Sequence, residues 1–107
     1  MQHLTAPELA AWLADASREA PLLLDVREPN EFAYCSISGA VPMPMQTVPA
    51  RMGELDEEAT IVCICHHGMR SMQVARFLEQ HGYADVINLT GGVHAWAQQV
   101  DPDMPTY

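Results

Sequence analysis

Basic residues are scarce in this chain. Five stand against fourteen acidic ones, for a formal charge of −9, so it lacks the positive surface that a nucleic-acid binder or a protein docking on an anionic membrane needs. No apolar run is long enough to span a bilayer. The first residues offer neither a basic stretch nor a long apolar segment of the secretory type, and Glu8 and Asp15 interrupt what apolar pattern there is. The expectation is a cytoplasmic protein with no nucleic-acid and no membrane partner. Cysteine is limited to three residues, an odd number that fits a disulfide framework poorly and suits a reducing compartment where thiols do chemistry. Repeats and low-complexity segments are lacking too. At 107 residues there is chain enough for one core but not two, so residues 1–107 read as one domain.

What the chain does contain is an alternation of strand-like and helix-like segments. Thr5 to Glu8 has the form of a capping box with Pro7 in the first turn, and Leu9, Trp12 and Leu13 follow on one helical face. Leu22, Leu23, Leu24 and Val26 make an apolar run broken only by Asp25, as expected of a strand covered on both faces. Pro29 and Asn30 start a helical turn with Glu31, Phe32 and Tyr34. Val41 to Pro44 is a short extended piece limited by its prolines, and Gln46 to Leu55 suits an irregular helix. Thr60 to Ile64 and Asp85 to Leu89 read as further strands. Helices are predicted from Ser71 to His81, stopped by Gly82, and after the Thr90-Gly91-Gly92 turn, with Val93, Trp96 and Ala97 on one face. The tail from Asp101 to Tyr107 reads as a surface strap. This order implies an α/β fold with a mainly parallel sheet, in which reactive groups collect at the carboxyl ends of strands.

Asp25 and Arg27, Cys65, and Gly91 with Gly92 all fall at such ends. The segment Cys65, His66, His67, Gly68, Met69, Arg70 and Ser71 joins a strand to a helix. A loop at a helix N-terminus gathers unpaired backbone N–H groups and the positive end of the helix dipole, and both favour negative charge. Cys65 is therefore the candidate nucleophile, a thiolate held by the loop. Arg70 adds a positive charge that would assist the thiolate and hold an anionic reactant.

Leu24-Asp25-Val26-Arg27-Glu28 with Glu31-Phe32, Ile37-Ser38-Gly39-Ala40, the Cys65 to Ser71 loop, and Leu89-Thr90-Gly91-Gly92 with Trp96 together resemble the single-domain rhodaneses, a sulfurtransferase family. The resemblance implies a three-layer domain with a central mainly parallel sheet flanked by helices, needing neither cofactor nor metal. It implies that Cys65 takes a sulfane sulfur from thiosulfate, a polysulfide or a persulfide and passes it from a Cys65 persulfide to cyanide or a thiol, including a protein thiol. The backbone N–H groups of His66, His67, Gly68, Met69, Arg70 and Ser71 would cradle that persulfide, with Gly68 as the loop glycine. Two departures stand out. Ser36 replaces a histidine common in the family, and Arg70 is the loop's only fixed positive charge, which favours a persulfide or polysulfide donor over thiosulfate. A carrier or regulatory module that delivers sulfur to a protein partner without turnover is the alternative.

The remaining reactive types have quieter readings. Cys63, inside a strand, is expected to be an inert core thiol, and Cys35 an exposed spectator rather than a resolving thiol. Asp25 and Arg27 are expected to form an ion pair that fixes a strand end. His66 and His67 are expected to be loop walls or hydrogen-bond donors, Met69 an apolar contact at the mouth, and His94 a helix residue rather than a base. Cys63, Cys65, His66 and His67 do not make a metal site by spacing. Related phosphatase loops are one residue longer, since only four residues separate Cys65 from Arg70, so phosphoryl chemistry is not expected.

Overall fold

Every strand pairing in the computed structural model is parallel, and the model describes all residues from Met1 to Tyr107. The chain runs β1 (Gln2–Leu4), α1 (Ala6–Ala14), β2 (Leu22–Asp25), α2 (Pro29–Tyr34), β3 (Val41–Pro42), α3 (Val48–Arg51), β4 (Thr60–Ile64), α4 (Met69–Gln80), β5 (Asp85–Leu89) and α5 (Gly92–Gln99). One sheet in the order β1-β5-β4-β2-β3 joins all five strands. The two longest apolar strands, β4 and β5, therefore lie inside it, with β2 beside β4.

Alternation along β4 explains the layering. Val62 and Ile64 face one side with Leu23, Ile87 and Leu89, where α1 and α5 supply Leu9, Val93 and Trp96. Ile61 and Cys63 face the other side with Leu24 and Val86, where Val48 of α3 and Val74, Ala75 and Leu78 of α4 close the core. Both faces are covered, which is why these strands read as continuous apolar runs rather than alternating ones. The capping box of α1 forms as expected: the Thr5 N–H donates to Glu8 Oε1 at 2.9 Å and the Glu8 N–H donates to Thr5 Oγ1 at 3.3 Å, an arrangement worth about 1 kcal/mol.

Several boundaries differ from the sequence reading. The predicted helix from Gln46 to Leu55 is one α-helical turn, α3, flanked by 3₁₀ turns at Met45–Thr47 and Met52–Glu54; Pro49 supplies no N–H for a longer ladder. β3 stops at Pro42 and forms the edge of the sheet. α4 begins at Met69 rather than Ser71, because Gly68 adopts φ 104° as its N-cap and lets the loop enter the helix early. β1 was not anticipated: Gln2 and His3 are exposed, and the strand exists because β5 offers it a free edge. No helix is long and apolar enough to cross a membrane.

Candidate active site

β4 delivers Cys65 to the carboxyl end of the sheet, where its side chain is almost fully covered, 1% exposed. Its Sγ accepts a hydrogen bond from the Gly68 N–H at 3.0 Å and lies 3.3 Å from Ser71 Oγ. Ser71 in turn donates to Asn88 Oδ1 at 2.5 Å, and Asn88 Nδ2 donates to the Gly68 carbonyl at 3.3 Å. The first backbone bond into α4 runs from Met72 N–H to Gly68 O, so the N–H groups of Met69, Arg70 and Ser71 stand unpaired at the helix start, as helix geometry requires. The Gly68 N–H is thus the loop donor bonded to sulfur, while the Ser71 hydroxyl, its hydrogen directed at Asn88, stands beside it as an acceptor for the thiol.

A second helix holds the loop from behind. The Val93 N–H donates to Cys65 O at 2.9 Å and the His94 N–H to His66 O at 3.1 Å. This approach is close enough that a Cβ on Gly92, itself at φ 57°, would stand 2.2 Å from Cys65 O. The double glycine between β5 and α5 is therefore a contact surface for the cysteine loop as much as a turn.

The other cysteines separate clearly. Cys63 is buried in β4, and burial, together with the neighbouring Cys65, pushes its thiol up to about 12, so it stays protonated. Cys35 is not the exposed spectator expected from sequence: it is buried at the end of α2, with Sγ 3.8 Å from Arg27 Nη1. The reason is Arg27, whose fully buried guanidinium draws the end of α2 inward.

Arg27 and Asp25 form the buried ion pair, with Nε to Oδ1 at 2.9 Å and Nη2 to Oδ2 at 2.7 Å. Arg27 also donates to the carbonyls of Cys35, at 2.7 Å, and Glu31, at 3.3 Å, and to the Tyr107 hydroxyl, at 2.9 Å. Burial works against its charge, but the hydrogen bonds to Asp25 and Tyr107 outweigh burial and hold its pKa above the ordinary arginine value. These contacts tie β2, α2 and the tail together at one end of the sheet.

Arg70 does not stand as a free positive charge. Its Nη1 and Nη2 meet Glu31 Oε1 and Oε2 at 2.7 and 2.9 Å, a bidentate pair. The Tyr107 hydroxyl donates to the same carboxylate at 2.8 Å. Hydrogen bonding to Arg70, the largest cause, holds Glu31 down to about 2. The positive charge that the sequence reading assigned to an anionic reactant is shared with this carboxylate, which leaves the loop amides as the main provision for negative charge. A pH dependence follows. Glu31 is depressed in the folded state, so its contribution to stability is present above the unfolded carboxylate pKa near 4.5 and is lost as pH falls from there through about 2. Glu31→Gln should flatten the acid limb of a stability–pH curve in that window while the wild type keeps its slope; equal slopes in urea titrations at pH 3 and pH 5 would remove the assignment.

The tail is more than a strap. Tyr107 stacks on His66, with ring centroids 4.0 Å apart and planes 9° apart, and meets Tyr34 edge-on at 5.9 Å. His67 is exposed and Met69, 67% exposed, marks the mouth of the loop. His94, placed by sequence on the last helix without a role, lies with its ring 4.9 Å from that of His67 and 6.0 Å from that of His66. Burial, and then His67, push the His66 pKa below its ordinary value. Asn88, Glu31, His94 and Tyr107 are the site neighbours that sequence reasoning missed. Only Asn88 left a signal, as the lone amide in the apolar run Val86 to Leu89.

Comparison with known proteins places this architecture. Residues 5–99 match the family described as Rhodanese-like domain. A sulfurtransferase of Allochromatium vinosum is 39% identical over 98 residues, covering 92% of this chain and 90% of that protein. The putative sulfur carrier protein YrkF of Bacillus subtilis is 38% identical over 85 residues, but this chain spans only 46% of its length. The probable adenylyltransferase/sulfurtransferase MoeZ of Mycobacterium tuberculosis is 36% identical over 106 residues, which is 97% of this chain and 26% of that protein. The crystal structure of SSP1007 from Staphylococcus saprophyticus matches with a TM-score of 0.85 at 32% identity, over 94% of this chain and 97% of that one. With the match running from the cap of α1 to the last residue of α5, and with the Allochromatium vinosum sulfurtransferase covered over 90% of its length, the chain belongs to the rhodanese-like domain family.

Proposed function

We propose that this protein is a sulfurtransferase that moves sulfane sulfur through a persulfide on Cys65. The observation that carries the reading is the setting of Sγ: a buried sulfur at the start of α4, receiving the Gly68 N–H and flanked by the Ser71 hydroxyl. In the first step the Cys65 thiolate attacks the outer sulfur of the donor. A Cys65 S–S bond forms, the donor's S–S bond breaks, and the electron pair leaves with the departing thiolate, or with sulfite when thiosulfate is the donor. In the second step a thiol or cyanide nucleophile attacks the terminal sulfur, takes it, and returns the Cys65 thiolate. The unpaired N–H groups of Met69, Arg70 and Ser71, at the start of α4, would receive the persulfide's negative charge, a provision that costs little reorganisation at the moment of transfer. His66 and His67 wall the loop, Met69 forms its mouth, and Asp25 with Arg27 supports the strand end behind it. Because Glu31 offsets Arg70, a persulfide or polysulfide of low charge suits the site better than the thiosulfate dianion.

The intermediate should accumulate. Treating the protein with polysulfide or thiosulfate, removing the donor and recording the intact mass is expected to show one added sulfur on the Cys65 peptide, discharged by cyanide. If no donor adds sulfur while Cys65 remains open to alkylation, the transfer reading fails. A second reading, a carrier that hands sulfur to one protein thiol, is suggested by the sulfur carrier name of the Bacillus subtilis relative. It is distinguished by a persulfide that forms but discharges slowly to small acceptors.

A further inference from the structure

Three histidines from two segments far apart in sequence meet beside the cysteine loop. His66 and His67 come from the loop, and His94 is brought to them because α5 is bonded through its first amides to Cys65 O and His66 O. One ring nitrogen from each of the three lies within 4.8 Å of the others. Cys65 is not among them: its sulfur is turned toward Gly68 and Ser71. A second observation singles out the same place. His94 Nδ1 is the one buried side-chain nitrogen or oxygen atom with no hydrogen-bond partner, and a buried polar atom left in that state is costly unless something else satisfies it.

From this arrangement we infer that His66, His67 and His94 form a binding site for a late first-row divalent cation such as Zn²⁺. Imidazole is the ligand type such cations accept readily, and three histidines with one open position form a known coordination pattern for zinc. In a tetrahedral site with Zn–N near 2.0–2.1 Å the ligating nitrogens stand about 3.4 Å apart, so the rings must close by about 1.4 Å from their present spread. His67 is exposed, its ring packed on that of His66 with centroids 3.9 Å apart. His66 is stacked on Tyr107 and His94 is carried by α5, so closure falls mainly to the exposed His67 side chain. The chain's other histidines do not join the cluster: His3 lies in β1, and His81 Nδ1 faces Phe77 O at 2.7 Å.

The test uses untagged, fully reduced protein at neutral pH and does not depend on sulfur transfer. Competition of Zn²⁺ against a chromophoric chelator is expected to show one equivalent bound, weakened at least tenfold in His67→Ala and in His94→Gln and unchanged in His81→Ala. Co²⁺ substitution should give visible bands of a four-coordinate nitrogen site without the near-ultraviolet thiolate charge-transfer band, and Cys65→Ser should bind as the wild type does. His67 is exposed, so its variant folds and decides the matter even if His94→Gln does not. Equal affinity in His67→Ala, or binding that disappears in Cys65→Ser with a thiolate band in the wild type, would overturn the three-histidine site. So would the lack of any bound zinc.

Discussion

Replacing Cys65 by serine is expected to abolish sulfur transfer, lowering the rate by on the order of 10³ or more, while Cys63→Ala and Cys35→Ala keep activity within a few fold. The serine hydroxyl would occupy nearly the same place, between the Gly68 N–H and Ser71 Oγ, so the fold should survive; what is lost is the polarisable nucleophile. The other two thiols differ by environment rather than by chemistry. Cys63 is fully buried between core side chains with its thiol held neutral up to about 12, and Cys35 is enclosed beside Arg27. Cys63 lies within β4 and Cys35 at the C-terminal end of α2, so neither stands at a helix N-terminus, where the backbone favours negative charge. Alanine rather than serine is the right probe at Cys63, because a hydroxyl there would be a buried polar group without a partner. Rates with polysulfide for the three variants, each checked by circular dichroism, make the comparison. An equal loss in folded Cys63→Ala would point to two cooperating thiols and against the single-cysteine mechanism.

The parts of the molecule that could be read from the sequence are those set by local pattern. Continuous apolar runs marked β2, β4 and β5, the Thr5 to Glu8 pattern marked the start of α1, and a cysteine between a strand and a helix marked the loop. The parts that could not be read depend on partners distant in the chain. β1 has little apolar pattern of its own, since its backbone is paired by β5 some eighty residues away. Arg70 looked like a free charge because its carboxylate, Glu31, is 39 residues earlier, and no spacing rule connects a residue of α2 with one of α4. Tyr107 reached the site through a hydrogen bond to Arg27 across 80 residues. Cys35 looked exposed because it ends a helix, and only the burial of Arg27 makes that helix end an interior one. His94 was judged on its own helix, where it is one polar residue among several. Its significance arises from the bonds that α5 makes to the loop, and these follow from packing around Gly92 rather than from the identity of residue 94.

That packing carries the second large effect. Gly92→Ala is expected to destabilise the fold by at least about 3 kcal/mol and to disable the loop even in molecules that remain folded. Two separate penalties combine. Gly92 sits at φ 57°, a left-handed conformation that costs an L residue roughly 1–2 kcal/mol. In addition, the new Cβ would stand 2.2 Å from Cys65 O and 2.5 Å from His66 O, both backbone atoms that cannot rotate away. Relief requires α5 to retreat from the loop, breaking the bonds from the Val93 and His94 N–H groups to Cys65 and His66 and releasing the backbone that aims Sγ at Gly68. Gly82→Ala is the internal control: it has φ 94° but open space around its Cβ position, so it carries the conformational penalty without the collision. For a domain of this size the predicted loss lowers the melting temperature by more than about 10 °C, clearly beyond Gly82→Ala, and the activity of the residual folded fraction at low temperature should fall with it. A Gly92→Ala protein that melts alongside Gly82→Ala and forms the Cys65 persulfide at the wild-type rate would mean that the loop is positioned by β4 and α4 alone, with α5 a bystander.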